Sequence, residues 1–212
     1  MTSTDESAPS GIIRLLLADD ENLFRDALAT LLGLQDDFEV VATAASGPEA
    51  VAMGRTHRPD VAVLDLQMPG GDGIEVAAEL LAEMPRLGVL IVTSHGRPGY
   101  LKRALEVGAR GFLPKTSSAI VLAEAVRAVS RGGRYVDPEL AADAIAAGST
   151  PLSSREADVL EMAADGAPVD EIARRVSLSV GTVRNYLSSA TTKVGAANRH
   201  EAAALARARG WI

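Results

Sequence analysis

Cysteine is absent from the 212 residues, which excludes a disulfide framework, a thiolate metal site and a cysteine nucleophile. Aromatic residues make up only 3% of the chain, so its cores must be aliphatic, and a hydrophobic fraction of 47% suffices to build them. No apolar run approaches the ~18 residues that a membrane-spanning helix requires. The first ten residues, Met1 to Ser10, are polar and acidic without an apolar stretch. They read as a disordered tail and not as a secretory signal. These absences together predict a soluble protein of the reducing cytoplasm that makes no use of a membrane.

A surplus of basic residues is also missing. The net charge of −7 argues against a general binder of polyanions. The acid is unevenly spread, however. Residues 1–150 carry 13 basic against 21 acidic side chains, a net of −8, and residues 151–212 carry 8 against 7, a net of +1. The second segment can therefore approach a polyanion without the repulsion carried by the first.

What is present is a regular alternation. Short apolar runs at Ile12–Ala18, Phe38–Thr43, Val61–Leu64, Val89–Val92 and Gly111–Leu113 are separated by segments of helical period. Continuous β-branched and aliphatic runs between helices indicate strands buried on both faces of a parallel sheet. Five such units predict a doubly wound α/β domain over residues 11–131, with its site at the C-terminal strand ends. Residues 132–150 contain Gly132, Gly133, Pro138 and Gly148 around an alanine-rich stretch, and read as a linker with one short helix. Beyond Pro151 the strand signal disappears, and residues 151–212 predict a small all-α domain of four short helices.

Asp19 and Asp20 follow the first run, and Asp65 closes the third. In a parallel sheet those strand ends are neighbours, so three carboxylates converge on one pocket. Their mutual repulsion calls for a cation, and oxygen-only ligands without a nearby histidine favour Mg2+ over zinc. Thr93 ends the fourth run and Lys115 follows the fifth, adding a hydroxyl and an ammonium. Singly, an Asp after a strand is an ordinary cap or turn residue and a Lys an ordinary surface charge. Their joint occurrence, one polar group per strand end and in order, marks a site. Phosphoryl transfer needs such a set: a carboxylate accepts the group as an acyl phosphate, and metal and lysine position and neutralise it.

The runs Asp19-Asp20-Glu21, Asp65-Leu66-Gln67-Met68-Pro69, Thr93-Ser94 and Gly111-Phe112-Leu113-Pro114-Lys115 resemble the receiver domain of two-component systems, a flavodoxin-like fold. The resemblance implies that Asp65 accepts phosphate from a sensor histidine kinase. It further implies that Asp20 and Asp65 bind Mg2+ directly, with the backbone carbonyl of Gln67 as a third ligand and Asp19 acting through water. Thr93 and Lys115 would hold the phosphoryl oxygens, and Phe112 would be the switch aromatic that packs inward as Thr93 moves. Gln67 and His95 occupy positions that vary in the family and tune the lifetime of the phosphoryl group.

In the second segment, Ile172, Ala173, Val176, Val180, Val183 and Leu187 supply the apolar positions of two short helices set at an angle, and Ser179 suits an N-cap. The outward face of the second helix carries Thr182, Arg184, Asn185, Ser188 and Ser189, with Lys193 following. Such a face suits a recognition helix in the major groove of double-stranded DNA. Arg184 and Asn185 can read base edges; Thr, Ser and Lys more often grip phosphate. The same residues also fit an ordinary polar face of an amphipathic helix. Leu152-Ser153-Ser154-Arg155-Glu156 and Gly181-Thr182-Val183-Arg184-Asn185-Tyr186-Leu187 resemble the LuxR-type helix-turn-helix. Receiver plus this domain resembles the NarL/FixJ response regulators, and the run Gly181–Ser189 resembles their DesR-like subgroup. Tyr186 departs from the histidine of many members, so a phosphate contact there would come from its ring or hydroxyl.

The resulting expectation is a transcription regulator and not an enzyme. Phosphorylation of Asp65 would shift a two-state receiver through Thr93 and Phe112, so that two copies pair on neighbouring promoter half-sites, with RNA polymerase as a further partner. Two alternatives compete. A phosphohydrolase with an aspartate nucleophile needs a second carboxylate two residues on, where Gln67 stands, and leaves residues 151–212 unused. An unphosphorylated orphan regulator usually lacks part of the acid cluster, which is complete here.

Overall fold

The computed structural model describes residues 11–212 apart from 95, 97, 149 and 177. The expected tail at 1–10 and the tuning position His95 lie outside the described residues. The chain divides into two compact units, residues 1–95 with 104–137 and residues 96–103 with 138–212.

In the first unit, strands and helices alternate: β1 (Ile13–Ala18), α1 (Asn22–Gly33), β2 (Phe38–Ala44), α2 (Gly47–His57) and β3 (Val61–Asp65). A two-stranded hairpin of β4 (Gln67–Met68) and β5 (Gly71–Asp72) leads into α3 (Gly73–Glu83). Then follow β6 (Gly88–Thr93), α4 (Pro98–Glu106), β7 (Gly111–Pro114), α5 (Ala119–Ser130) and β8 (Tyr135–Val136). Helix α4 straddles the division, with its first residues in the second unit.

The main sheet runs β2-β1-β3-β6-β7-β8, with every pairing parallel. It has six strands where the sequence predicts five. The sixth, β8, is two residues long and pairs Tyr135 with Gly111 and Val136 with Phe112. Such a short segment carries no periodic signal of its own. The turn before it includes Gly132 at φ +80°, a left-handed conformation that favours glycine.

The continuous apolar runs are buried, as strands covered on both faces must be. Leu15, Leu17, Val63, Leu90, Val92 and Leu113 pack with Leu28 and Leu32 of α1 and with Leu122, Val126 and Val129 of α5. Local signals set several helix starts. Ser46 caps α2 through the Glu49 amide, Ser118 caps α5 through Val121, and Asp72 and Glu75 form a reciprocal capping box on α3.

The second unit holds α6 (Pro138–Ala147), α7 (Ser154–Ala164), α8 (Val169–Arg175), α9 (Val180–Val194) and α10 (Arg199–Ala208). Helices α7 to α10 enclose an aliphatic core that includes Val159, Leu160, Ile172, Val183, Leu187, Ala190 and Ala206. Ser179 caps α9 through the Thr182 amide, and Gly195, at φ +76°, closes it. Also within this unit, Tyr100 of α4 donates its hydroxyl to the Asp158 carboxylate of α7. No helix among the described residues is long and apolar enough to cross a membrane.

Candidate functional site

The C-terminal ends of β1, β3, β6 and β7 bring the polar residues together. The Asp19 amide donates to Ala44 of β2, the Leu66 amide to Val92, and the Lys115 amide to Thr93, at 2.8–3.1 Å. These bonds hold each residue just past its strand. Carboxylate oxygens of Asp19, Asp20 and Asp65 all lie within 4.8 Å of one another. Asp19, Asp65 and Thr93 are buried, and Asp20 is exposed. Three buried or clustered carboxylates offering only oxygen fit a hard divalent cation of the magnesium type.

The Lys115 ammonium contacts Asp19 Oδ2 at 2.8 Å, Glu21 Oε1 at 2.7 Å and Asp65 Oδ2 at 3.3 Å. Burial works against its charged form, yet hydrogen bonds to Asp19 and Glu21 and the Asp65 charge prevail and raise its pKa. Burial pushes the Asp65 carboxyl up to about 6, with Lys115 opposing and Asp19 adding to the rise. A carboxylate so destabilised as an anion gains from a cation bound beside it.

The backbone around Asp65 is tightly set. A Cβ on Gly73 would stand 2.1 Å from the Asp65 carbonyl oxygen, so only glycine fits there. Gln67 opens the hairpin with its side chain exposed. Phe112 is fully buried in β7.

In the second unit, Arg184, Asn185 and Ser188 of α9 are exposed. Thr182 is half-buried, with its hydroxyl 2.8 Å from that of the cap residue Ser179. Tyr186 lies against the aliphatic core. Ser189 donates to Glu156 Oε1 at 2.6 Å, and Lys193 to Glu156 Oε2 at 2.8 Å. Glu156 also completes the capping box of α7 with Ser153. Burial would raise its pKa, but the bonds from Lys193, Ser189 and Ser153 outweigh this and hold it down at about 2.

Glu21 and Glu156 are the two site residues that sequence reasoning missed. The Ser153-x-x-Glu156 spacing is a capping-box signature and could have flagged Glu156. No local pattern joins Glu21 to Lys115.

Residues 15–127 match the response regulator receiver domain, and residues 150–206 match the bacterial regulatory proteins of the luxR family. The chain is 40% identical over 201 residues to the transcriptional regulatory protein DesR of Bacillus subtilis, covering 95% of this chain and 100% of the relative. It is 36% identical over 204 residues to the DNA-binding transcriptional activator DevR/DosR of Mycobacterium tuberculosis, covering 92% and 94%. Among solved structures, the response regulator ChrA of a heme-sensing two-component system is similar at a TM-score of 0.56 and 34% identity, covering 95% and 100%.

Proposed function

The chain belongs to the response regulators that join a receiver to a LuxR-type DNA-binding domain, and from that membership we propose that phosphorylation of Asp65 governs its binding to promoters. The observation that carries this reading is the convergence of three carboxylates within 4.8 Å, with Lys115 contacting two of them.

An Asp65 carboxylate oxygen bonds to phosphorus as the phosphorus–nitrogen bond of a sensor kinase's phosphohistidine breaks, and the imidazole leaves with the electron pair. Asp19, Asp20 and Asp65, with the Gln67 carbonyl, would hold Mg2+, which when bound neutralises charge on the phosphoryl oxygens. Lys115 holds a phosphoryl oxygen by its ammonium, and Thr93 by its hydroxyl. Movement of Thr93 toward that oxygen, with Phe112 packed behind it, biases the receiver between two states. Residues 11–131 act as this receiver and 151–212 as the DNA-binding domain.

On α9, exposed Arg184 and Asn185 are the candidates for base edges, and Thr182, Ser188, Ser189, Tyr186 and Lys193 for the backbone. Because residues 151–212 have a net charge of only +1, one copy gains little from phosphates, and a homodimer on paired half-sites supplies the affinity. RNA polymerase is a further partner once the promoter is bound.

The test is incubation of the full chain with acetyl phosphate and Mg2+, followed by peptide mapping and promoter footprinting. Label on Asp65 with a stronger footprint is expected. Label elsewhere, or a footprint indifferent to it, would overturn the reading.

A further inference from the structure

Lys115 has three N–H donors, and three carboxylates face its ammonium: Asp19, Glu21 and Asp65. A phosphoryl oxygen carried on Asp65 therefore competes for the ammonium with the two carboxylates that are not phosphorylated, Asp19 and Glu21. The Asp19 and Asp65 side chains are 5% and 6% exposed, whereas that of Glu21 is 61% exposed. Glu21 regains water most readily on release, so it is the partner that yields.

Glu21 is placed for that contact at some local cost. It stands at the N-cap of α1, yet its side chain makes no capping bond and reaches Lys115 instead. Its backbone amide donates to Asp19 Oδ1 at 2.9 Å, which ties it to the pocket rim. The 2.7 Å bond to Glu21 is the shortest of the three contacts and the 3.3 Å contact to Asp65 the longest. The ammonium is thus drawn toward the mouth and away from the acceptor.

We propose that Glu21 is a positioning residue that competes with the incoming phosphoryl group for Lys115, slowing phosphorylation of Asp65 without setting the lifetime of the product. The inference rests on Asp65 being the phosphoacceptor. In transfer from acetyl phosphate, an Asp65 oxygen bonds to phosphorus as the bond from phosphorus to the acetate oxygen breaks, and acetate leaves with the electron pair. The Glu21 contact is present before this step and lost during it. In hydrolysis, a water oxygen bonds to phosphorus, the bond to Asp65 breaks, and the water's protons pass to phosphate and solvent. Lys115 already holds the phosphoryl group at the start of that step, so the loss of Glu21 cancels.

The test compares the full-length chain with Glu21→Gln and Glu21→Asp, all with acetyl phosphate and Mg2+ at fixed ionic strength. Gln keeps the length and loses the charge. Asp keeps the charge but is one methylene shorter, and it prefers to cap α1. Both variants should label Asp65 about two- to fivefold faster, the range expected for loss of a largely exposed ion pair, and the decay rate should stay that of the wild type. Faster labelling in Glu21→Gln alone would assign the effect to charge repelling the donor and overturn the proposal. Unchanged labelling in both variants, or decay that moves in step with labelling, would also overturn it. Absence of label from the wild-type Asp65 would overturn the phosphoacceptor reading itself, and this inference with it.

Discussion

Lys193 on α9 donates to Glu156 on α7 at 2.8 Å, and the two differ sharply in exposure: 43% for the lysine side chain and 5% for the glutamate. The buried partner organises the exposed one. Glu156 also receives Ser189 from the same helix and the Ser153 amide from its own. One carboxylate thus sets the seating of α9, the element that carries Arg184 and Asn185.

Replacing Glu156 by alanine leaves the Ser153 amide, the Ser189 hydroxyl and the Lys193 ammonium without their shared acceptor. A loss of about 1–3 kcal/mol in the stability of the second unit is expected, read from its urea midpoint. The folded carboxyl is depressed to about 2 from 4.5. Its contribution is therefore present above pH 4.5 and lost as the pH falls toward 2. A midpoint that does not respond to pH in that window would contradict the assignment.

Asp65 behaves in the opposite sense. Its folded pKa is raised to about 6 from 3.8, so without metal it favours the fold most below pH 3.8 and least above pH 6. Asp65→Asn should stabilise the metal-free receiver at neutral pH by about 1–3 kcal/mol and flatten its stability profile between pH 4 and 6. Thermal melts across that range check both effects.

Magnesium should raise the melting temperature of the wild-type chain in proportion to the logarithm of its concentration, because it binds the folded site alone. Chelation should reverse the shift. Asp20→Asn and Asp65→Asn should each abolish most of it, whereas Asp72→Asn, at the cap of α3, should leave it in place.

Gly73→Ala introduces a Cβ within 2.1 Å of the Asp65 carbonyl. The backbone must shift, at about 1–3 kcal/mol, and the shift falls on the acceptor residue. Slower labelling of Asp65 by acetyl phosphate, together with a lower midpoint, is the expected pair of effects.

On α9, Arg184→Ala should weaken promoter binding by about 1–3 kcal/mol and relax selectivity at one base pair. Lys193→Met should act differently. Its ammonium is bonded to Glu156, so the salt dependence of binding should change by less than the full step of about one that a free phosphate contact gives. Titrations at several salt concentrations separate the two behaviours.

Much of the receiver site was legible because its parts sit at positions that topology makes equivalent. Once the runs ending near Ala18, Asp65, Thr93 and Pro114 are parallel strands, their C-terminal ends must meet, and Asp19, Asp20, Asp65, Thr93 and Lys115 meet with them. The helix start at Ser179 was legible for a simpler reason: a cap acts across three residues, so its signal is contiguous. The recognition face was legible only as a polar stripe, since period alone separates inside from outside and not bonded from free. Ser189 and Lys193 belong to that stripe and yet turn to Glu156.

By itself, then, the sequence determined the order of elements, the two-part division of charge and the set of groups that meet at the strand ends, because each follows from local period or parallel topology. Only the tertiary structure decided that β8 joins the sheet, that Glu21 reaches Lys115 across 94 positions and that Glu156 reaches Lys193 across 37. Those contacts depend on how side chains remote in sequence are aimed at one another, and neither composition nor spacing encodes an aim.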